Sequence, residues 1–169
     1  MANLVYEMDG VSRITADAIG VPGHRTFFIQ AEQGMDRIEL VCEKEQLQAL
    51  ADAIDELLAN LEEQFGLARP AELTIDETEM RIREPVDPLF RIGAMGLGYD
   101  ANRDRILLVA QELVPEDAGY DPREVRFFAT RTQMQMMSAY ARVVIGRGRS
   151  PEQVALQAEV HARRNGHGE

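Results

Sequence analysis

Apolar and polar residues alternate along residues 11–19. Gly20-Val21-Pro22-Gly23 then supplies a proline that presets one central position of a turn and a glycine free to take positive φ. A hairpin is predicted there. Its return strand, residues 25–32, holds Phe27, Phe28 and Ile29, and Gln33-Gly34-Met35-Asp36 turns the chain into a third strand, residues 37–42. Residues 1–10 also read as extended chain. From 44 to 65 the period changes: Leu47, Leu50, Ile54, Leu57, Leu58, Leu61 and Phe65 recur at spacings of three and four, while Asp52, Asp55, Glu56, Glu62 and Glu63 fall elsewhere on the wheel. This predicts an amphipathic helix stopped by Gly66.

Prolines at 70, 85 and 88 and many acids mark residues 67–88 as a linker, with one brief alternating run at 80–83. Beyond it the order of elements repeats. Strands are expected at 90–99, 105–113 and 125–129, with an acidic loop at 114–124, and the pair Thr130 and Gln133 opens a helix that Gly146 stops. At an offset of 87, Leu47, Leu50, Ile54, Leu57 and Leu58 meet Met134, Met137, Ala141, Val144 and Ile145, and Gln46 meets Gln133; Arg13-Ile14 aligns with Arg91-Ile92 at 78. The expectation is an α+β fold of two tandem β-β-β-α units, residues 1–66 and 89–147, forming antiparallel sheet packed against two long helices within one domain. Ser150, Pro151 and Gln153 add a short C-terminal helix in the tail, residues 148–169.

Charge narrows the function classes. Residues 1–141 carry 13 basic and 26 acidic side chains, so this body repels nucleic acid, whereas residues 142–169 carry 5 basic and 3 acidic ones. No apolar run is long enough to span a membrane, and residues 1–10 lack the basic start and apolar stretch of a secretory signal, so a cytoplasmic protein is expected. Cys42 is the only cysteine, which excludes an internal disulfide and a multi-thiolate zinc site.

No catalytic constellation emerges from the residues. The three histidines, His24, His161 and His167, match no helical ligand pair, and Ser12, Ser138 and Ser150 stand in no nucleophile motif. Acid pairs such as Asp55-Glu56 point about 100° apart on a helix and read as solvated. Gly93-Ala94-Met95-Gly96-Leu97-Gly98 precedes a strand rather than a helix, so it reads as a strand packed closely on a helix of the other half, or bent by a bulge, and not as a phosphate loop. Met134, Met136 and Met137 read as core filling. Arg25 and Arg91, beside sheet segments, are the first candidates for an anionic ligand, with Gln30 and Lys44 beside them; Arg147, Arg149, Arg163 and Arg164 offer a second basic group in the tail.

Gly20-Val21-Pro22-Gly23-His24-Arg25-Thr26-Phe27-Phe28-Ile29-Gln30-Ala31, with Glu43-Lys44-Glu45-Gln46, Phe90-Arg91-Ile92-Gly93 and Tyr99-Asp100, resembles the bacterial family catalogued as domain of unknown function 3090. The resemblance covers nearly the whole chain and implies no known activity. Family members typically end in a cysteine-rich segment of zinc-ribbon appearance. Here residues 147–167 keep Arg164-Asn165-Gly166 without any cysteine, so the zinc role does not carry over.

The expected function is a non-enzymatic binding or assembly module, a homo-oligomer or the partner of another protein, needing no cofactor. Two alternatives stand beside it. One is a single-stranded nucleic-acid binder of Pur-alpha or Whirly-like architecture, using Arg25, Arg37, Arg91 and Arg105. The other is an enzyme with a site between the halves, drawing on Arg25, Gln30, Glu43 or Arg91.

Overall fold

The computed structural model describes residues 3–72 and 74–147. Ten elements follow one another: β1 (Asn3–Met8), β2 (Arg13–Ile19), β3 (Thr26–Gln33), β4 (Asp36–Cys42), α1 (Lys44–Phe65), α2 (Glu77–Met80), β5 (Pro88–Asp100), β6 (Arg105–Glu112), β7 (Arg123–Ala129) and α3 (Arg131–Gly146). The strands make one seven-stranded sheet in the order β1-β7-β6-β5-β4-β3-β2.

β2-β3-β4 and β5-β6-β7 are antiparallel, joined by short turns except for the longer loop of residues 113–122 between β6 and β7. The expectation of purely antiparallel sheet is corrected at two places, because β4 pairs with β5, and β1 with β7, in parallel. The crossover through α1 and residues 66–87 returns the chain to the start of the sheet, so β5 runs in the same direction as β4. β5 is long because it serves two neighbours: its first residues lie along β4, and after a bulge between Ile92 and Ala94 the rest lies along β6. Gly93 makes that bend feasible, since a Cβ there would sit 2.9 Å from the backbone of Leu113.

The sheet curls strongly. The Val11 amide donates to Phe128 of β7 at 2.9 Å and the next amide, Ser12, to Glu32 of β3 at 2.8 Å, so these two carbonyls lie within about 10 Å. Four inter-strand steps across a flat sheet would put β7 and β3 about 19 Å apart.

One face of the sheet, with Ile14, Ala16, Ile29, Leu40, Phe90, Leu108 and Phe127, joins the apolar stripes of α1 and α3 in a single core. Both helices begin on capping pairs. The Gln46 side chain accepts from the Glu43 amide and the Gln133 side chain from the Thr130 amide, and each glutamine then donates to a backbone carbonyl, Gln46 to Ile92 of β5 and Gln133 to Val11 between β1 and β2. α1 ends at Gly66, whose φ of 65° closes the last turn left-handed. The two helices meet at small residues, where the Ser138 hydroxyl donates to the Ala51 carbonyl at 3.2 Å. Met134 and Met137 fill the core and Met136 packs at its margin. The predicted C-terminal helix lies outside the described residues.

Candidate functional site

The opposite face of the sheet differs between its two ends. On β2-β3-β4 it carries Arg13, Thr15 and Asp17, then Phe28, Gln30 and Glu32, then Arg37, Glu39 and Val41. The segment expected as a linker lies across these residues. Side chains of the strands hold its backbone: Arg13 donates to the carbonyls of Glu79 (2.7 Å) and Arg81, Thr15 to Met80, and Arg37 to Pro85, while the Asp17 carboxylate accepts from the Ile82 amide at 2.8 Å. Gln30 sits at the centre. It accepts from Arg13 (2.8 Å) and from the Arg83 amide (2.9 Å), and it donates to Glu39 (3.0 Å) and the Arg83 carbonyl (2.9 Å). Every polar arm of Gln30 is thus occupied, and the side chain is fully buried.

The four candidate ligand residues do not share a surface. Gln30 is enclosed under the strap of residues 79–85. Arg25 lies over the Phe27 ring at 4.9 Å and donates to the Val144 carbonyl, near the end of α3, at 2.8 Å. Lys44 is the first residue of α1, and Arg91 pairs with Glu43, the residue before it, at 2.7 Å. Of the other arginines, Arg37 pairs with Glu39, Arg105 donates to backbone carbonyls of Arg103 and Asp104, and Arg147 pairs with Glu77. Arg149, Arg163 and Arg164 lie outside the described residues. Burial pushes the Cys42 thiol up to about 12, which removes it as a nucleophile.

A cleft of about 360 Å³ opens beside the helix pair. Several of its polar groups are committed to one another: Asp55 accepts from Ser138 (3.0 Å), Arg69 (2.9 Å) and Arg142 (2.6 Å), and Arg69 also donates to Gln135.

At the other end of the sheet the corresponding face is Ala94, Gly96 and Gly98 on β5, Leu107, Val109 and Gln111 on β6, and Glu124, Arg126 and Phe128 on β7. Leu107 and Val109 stand outside the core, and a Cβ added at Gly96 or Gly98 would meet nothing within 4 Å. No described segment is hydrogen-bonded across it. The rim is charged but internally paired: Arg103 lies over Phe128 at 4.9 Å, and Glu124 accepts from Gln111 (3.0 Å) and Arg126 (2.8 Å). In the sequence Ala94, Gly96 and Gly98 stand out only within the glycine run 93–98, read as a strand packed on a helix or bent by a bulge. A further signal is the run Ile106-Leu107-Leu108-Val109-Ala110, apolar at five consecutive positions where a strand with one solvated face would alternate.

Three carboxylates near this face are held below their ordinary range: Glu124 by the Gln111 amide and Arg126, Glu112 by Arg123, and Asp104 by Arg131 and the Tyr99 hydroxyl. A folded-state pKa below the unfolded one contributes stability above the unfolded value and loses it as pH falls through the folded one. Thermal stability is therefore expected to be flat above about pH 5 and to decline on acidification below about pH 4. Glu124→Gln should shallow that decline, as melts at constant ionic strength would show; an unchanged slope would refute this role for Glu124.

The fold and this face define an α+β protein with a curled mixed sheet, one outer face strapped and the other open. Residues 6–157 match the family described as protein of unknown function (DUF3090), and the chain belongs to that family. No curated protein and no solved structure matches the chain. The zinc-ribbon ending of the family's members does not fit here, because such a site rests on several thiolates and Cys42 is the sole cysteine. No helix among the described residues is long and apolar enough to cross a membrane.

Proposed function

We propose that the protein is a non-enzymatic binding or assembly module that works through the outer face of β5-β6-β7. The carrying observation is the contrast between the two ends of the sheet when compared rung by rung. We read them as tandem β-β-β-α units, with Ala16, Ile29 and Leu40 on one core rung corresponding to Leu97, Leu108 and Phe127 on the other. The two glutamine caps and the helix crossing at Ala51 and Ser138, 87 residues apart, support this equivalence. It sets β5 against β2 at an offset of 81, not the 78 of the bare sequence alignment.

On the outer face the rung Thr15, Gln30, Glu39 then corresponds to Gly96, Val109, Arg126, and the rung Asp17, Phe28, Val41 to Gly98, Leu107, Phe128. Thr15, Asp17 and Gln30, which grip the strap's backbone at one end, are replaced at the other by Gly96, Gly98 and Val109, while Arg126 stands where Glu39 does. Such a surface suits burial against another protein.

Two features count against the alternatives. Bases stack on exposed rings, whereas Phe28 and Phe128, the rings on this face, are both buried. An enzyme site between the halves needs free polar groups, whereas the core there is filled by Leu47, Leu50, Ile54, Met134, Met137 and Tyr140, and Asp55, Arg69 and Arg142 in the cleft beside the helices are paired with one another.

A photo-crosslinking residue placed at Val109 in cells is expected to yield a covalent adduct with a protein, while the same residue at Met35, fully exposed elsewhere, is not. Absence of an adduct from position 109, or salt-sensitive binding of short single-stranded DNA that is lost on replacing Arg103 and Arg126, would overturn the proposal.

A further inference from the structure

We infer that the partner on this face is a second copy of the chain, its β5-β6-β7 surface packed against the same surface of the first. The inference rests on the preceding reading and names the occupant. Its starting point is β6, where residues 106–110 are all apolar. A strand with that pattern is buried on both faces. β3 provides the comparison within the same molecule: Phe27, Phe28 and Ile29 are consecutive apolar residues, and both faces of β3 are covered, one by the helices and one by the strap. β6 has the longer apolar run and only one covered face among the described residues.

The size of the surface points to a modest dimer. With the neighbouring edge strand β1 included, four strands spaced about 4.8 Å apart over about seven residues present roughly 450 Å² of plan area, so two copies would bury on the order of 1,000 Å² once side-chain relief is counted. That is the lower end of specific interfaces. The arrangement also follows interface anatomy, with an apolar centre of Gly96, Gly98, Leu107 and Val109 inside a charged rim. The rim carries both signs of charge, Arg103 and Arg105 at the turn end of the β5-β6 hairpin and Glu124 toward the other, so a two-fold axis across the strands sets the arginines of one copy toward Glu124 of the other. Residues 148–169 of the same chain are a poorer match for this face, with Val154, Leu156 and Val160 their only large apolar residues.

Because the chain carries a net charge of −11, copies repel at low ionic strength, and added salt should tighten the association by screening that repulsion. Sedimentation equilibrium of the full chain is expected to give twice the 19.0 kDa monomer mass at about 0.1 mM protein, with a several-fold tighter dimer at high salt than at low. Val109→Arg is expected to be monomeric with an unchanged circular dichroism spectrum and melt, while Met35→Arg remains dimeric. A wild type that stays monomeric at every concentration and salt would overturn the inference, as would equal dissociation by Met35→Arg. The broader reading would then be judged on the position-109 adduct: one of another mass would keep the face and change its partner.

Discussion

Gln30→Leu is expected to cost about 4 kcal/mol of stability, because four groups lose a hydrogen bond at once in a buried setting, and the two that keep no other partner, the amide and carbonyl of Arg83, cost about 1–3 kcal/mol each before relaxation. The groups are the amide and carbonyl of Arg83, the Arg13 guanidinium and the Glu39 carboxylate. Leucine fills nearly the same volume, so the loss isolates the polar contacts from cavity formation. Urea denaturation would give the magnitude. Hydrogen exchange would show its place, since the amides of Ile82 and Arg83, now held by Asp17 and Gln30, should lose protection before those of the core strands. Val109→Ala, on the corresponding rung, is expected to cost about 1 kcal/mol or less in the dilute protein. Equal costs at the two positions would mean that the strap is not held as described.

Phe127→Ala is expected to cost about 4 kcal/mol, through the lost transfer of a large ring and the cavity left behind. The residue is 1% exposed and lies at the meeting of three strands, paired laterally with Met8 of β1 and Leu108 of β6. Total stabilities of about 5–15 kcal/mol make this a large fraction. β1 has a single strand neighbour, β7, so its amides should lose protection first. A loss below about 1 kcal/mol in chemical denaturation would contradict the placement of this ring at the centre of the core.

Local pattern made much of this fold legible. The helix at 44–65 follows from the three-four spacing and Gly66, the second helix from Thr130 and Gln133, and the hairpins from their turn residues. The parallel pairs were not legible, because β1 and β7 are joined by residues more than a hundred positions apart and nothing in either strand names the other. Gly93 was readable as a bulge, whereas Gly96 and Gly98 face open space and not a helix.

The candidate site was the harder part. Gln30 in mid-strand reads as a ligand group because a polar residue there looks solvent-facing, and only the path of residues 79–85 shows that it binds backbone of its own chain. The brief alternation at 80–83 was the trace of that segment, with Met80 and Ile82 turned inward. From the sequence, the solvent face of residues 105–113 is one that a homodimer would cover if it is apolar, but that Leu107 and Val109 form it is not legible there. What singles them out is that no described segment covers their face, a property of the assembled sheet.

The most direct test of the role assigned to that face is the thiol-labelling rate of Val109→Cys as a function of protein concentration, with Cys42 silent because burial holds its thiol protonated. Val109 is half-buried, so the account predicts the rate of a partly accessible thiol in dilute protein and progressive protection as concentration rises. A rate that stays the same at every concentration would show that copies of the chain leave the face uncovered and would contradict it.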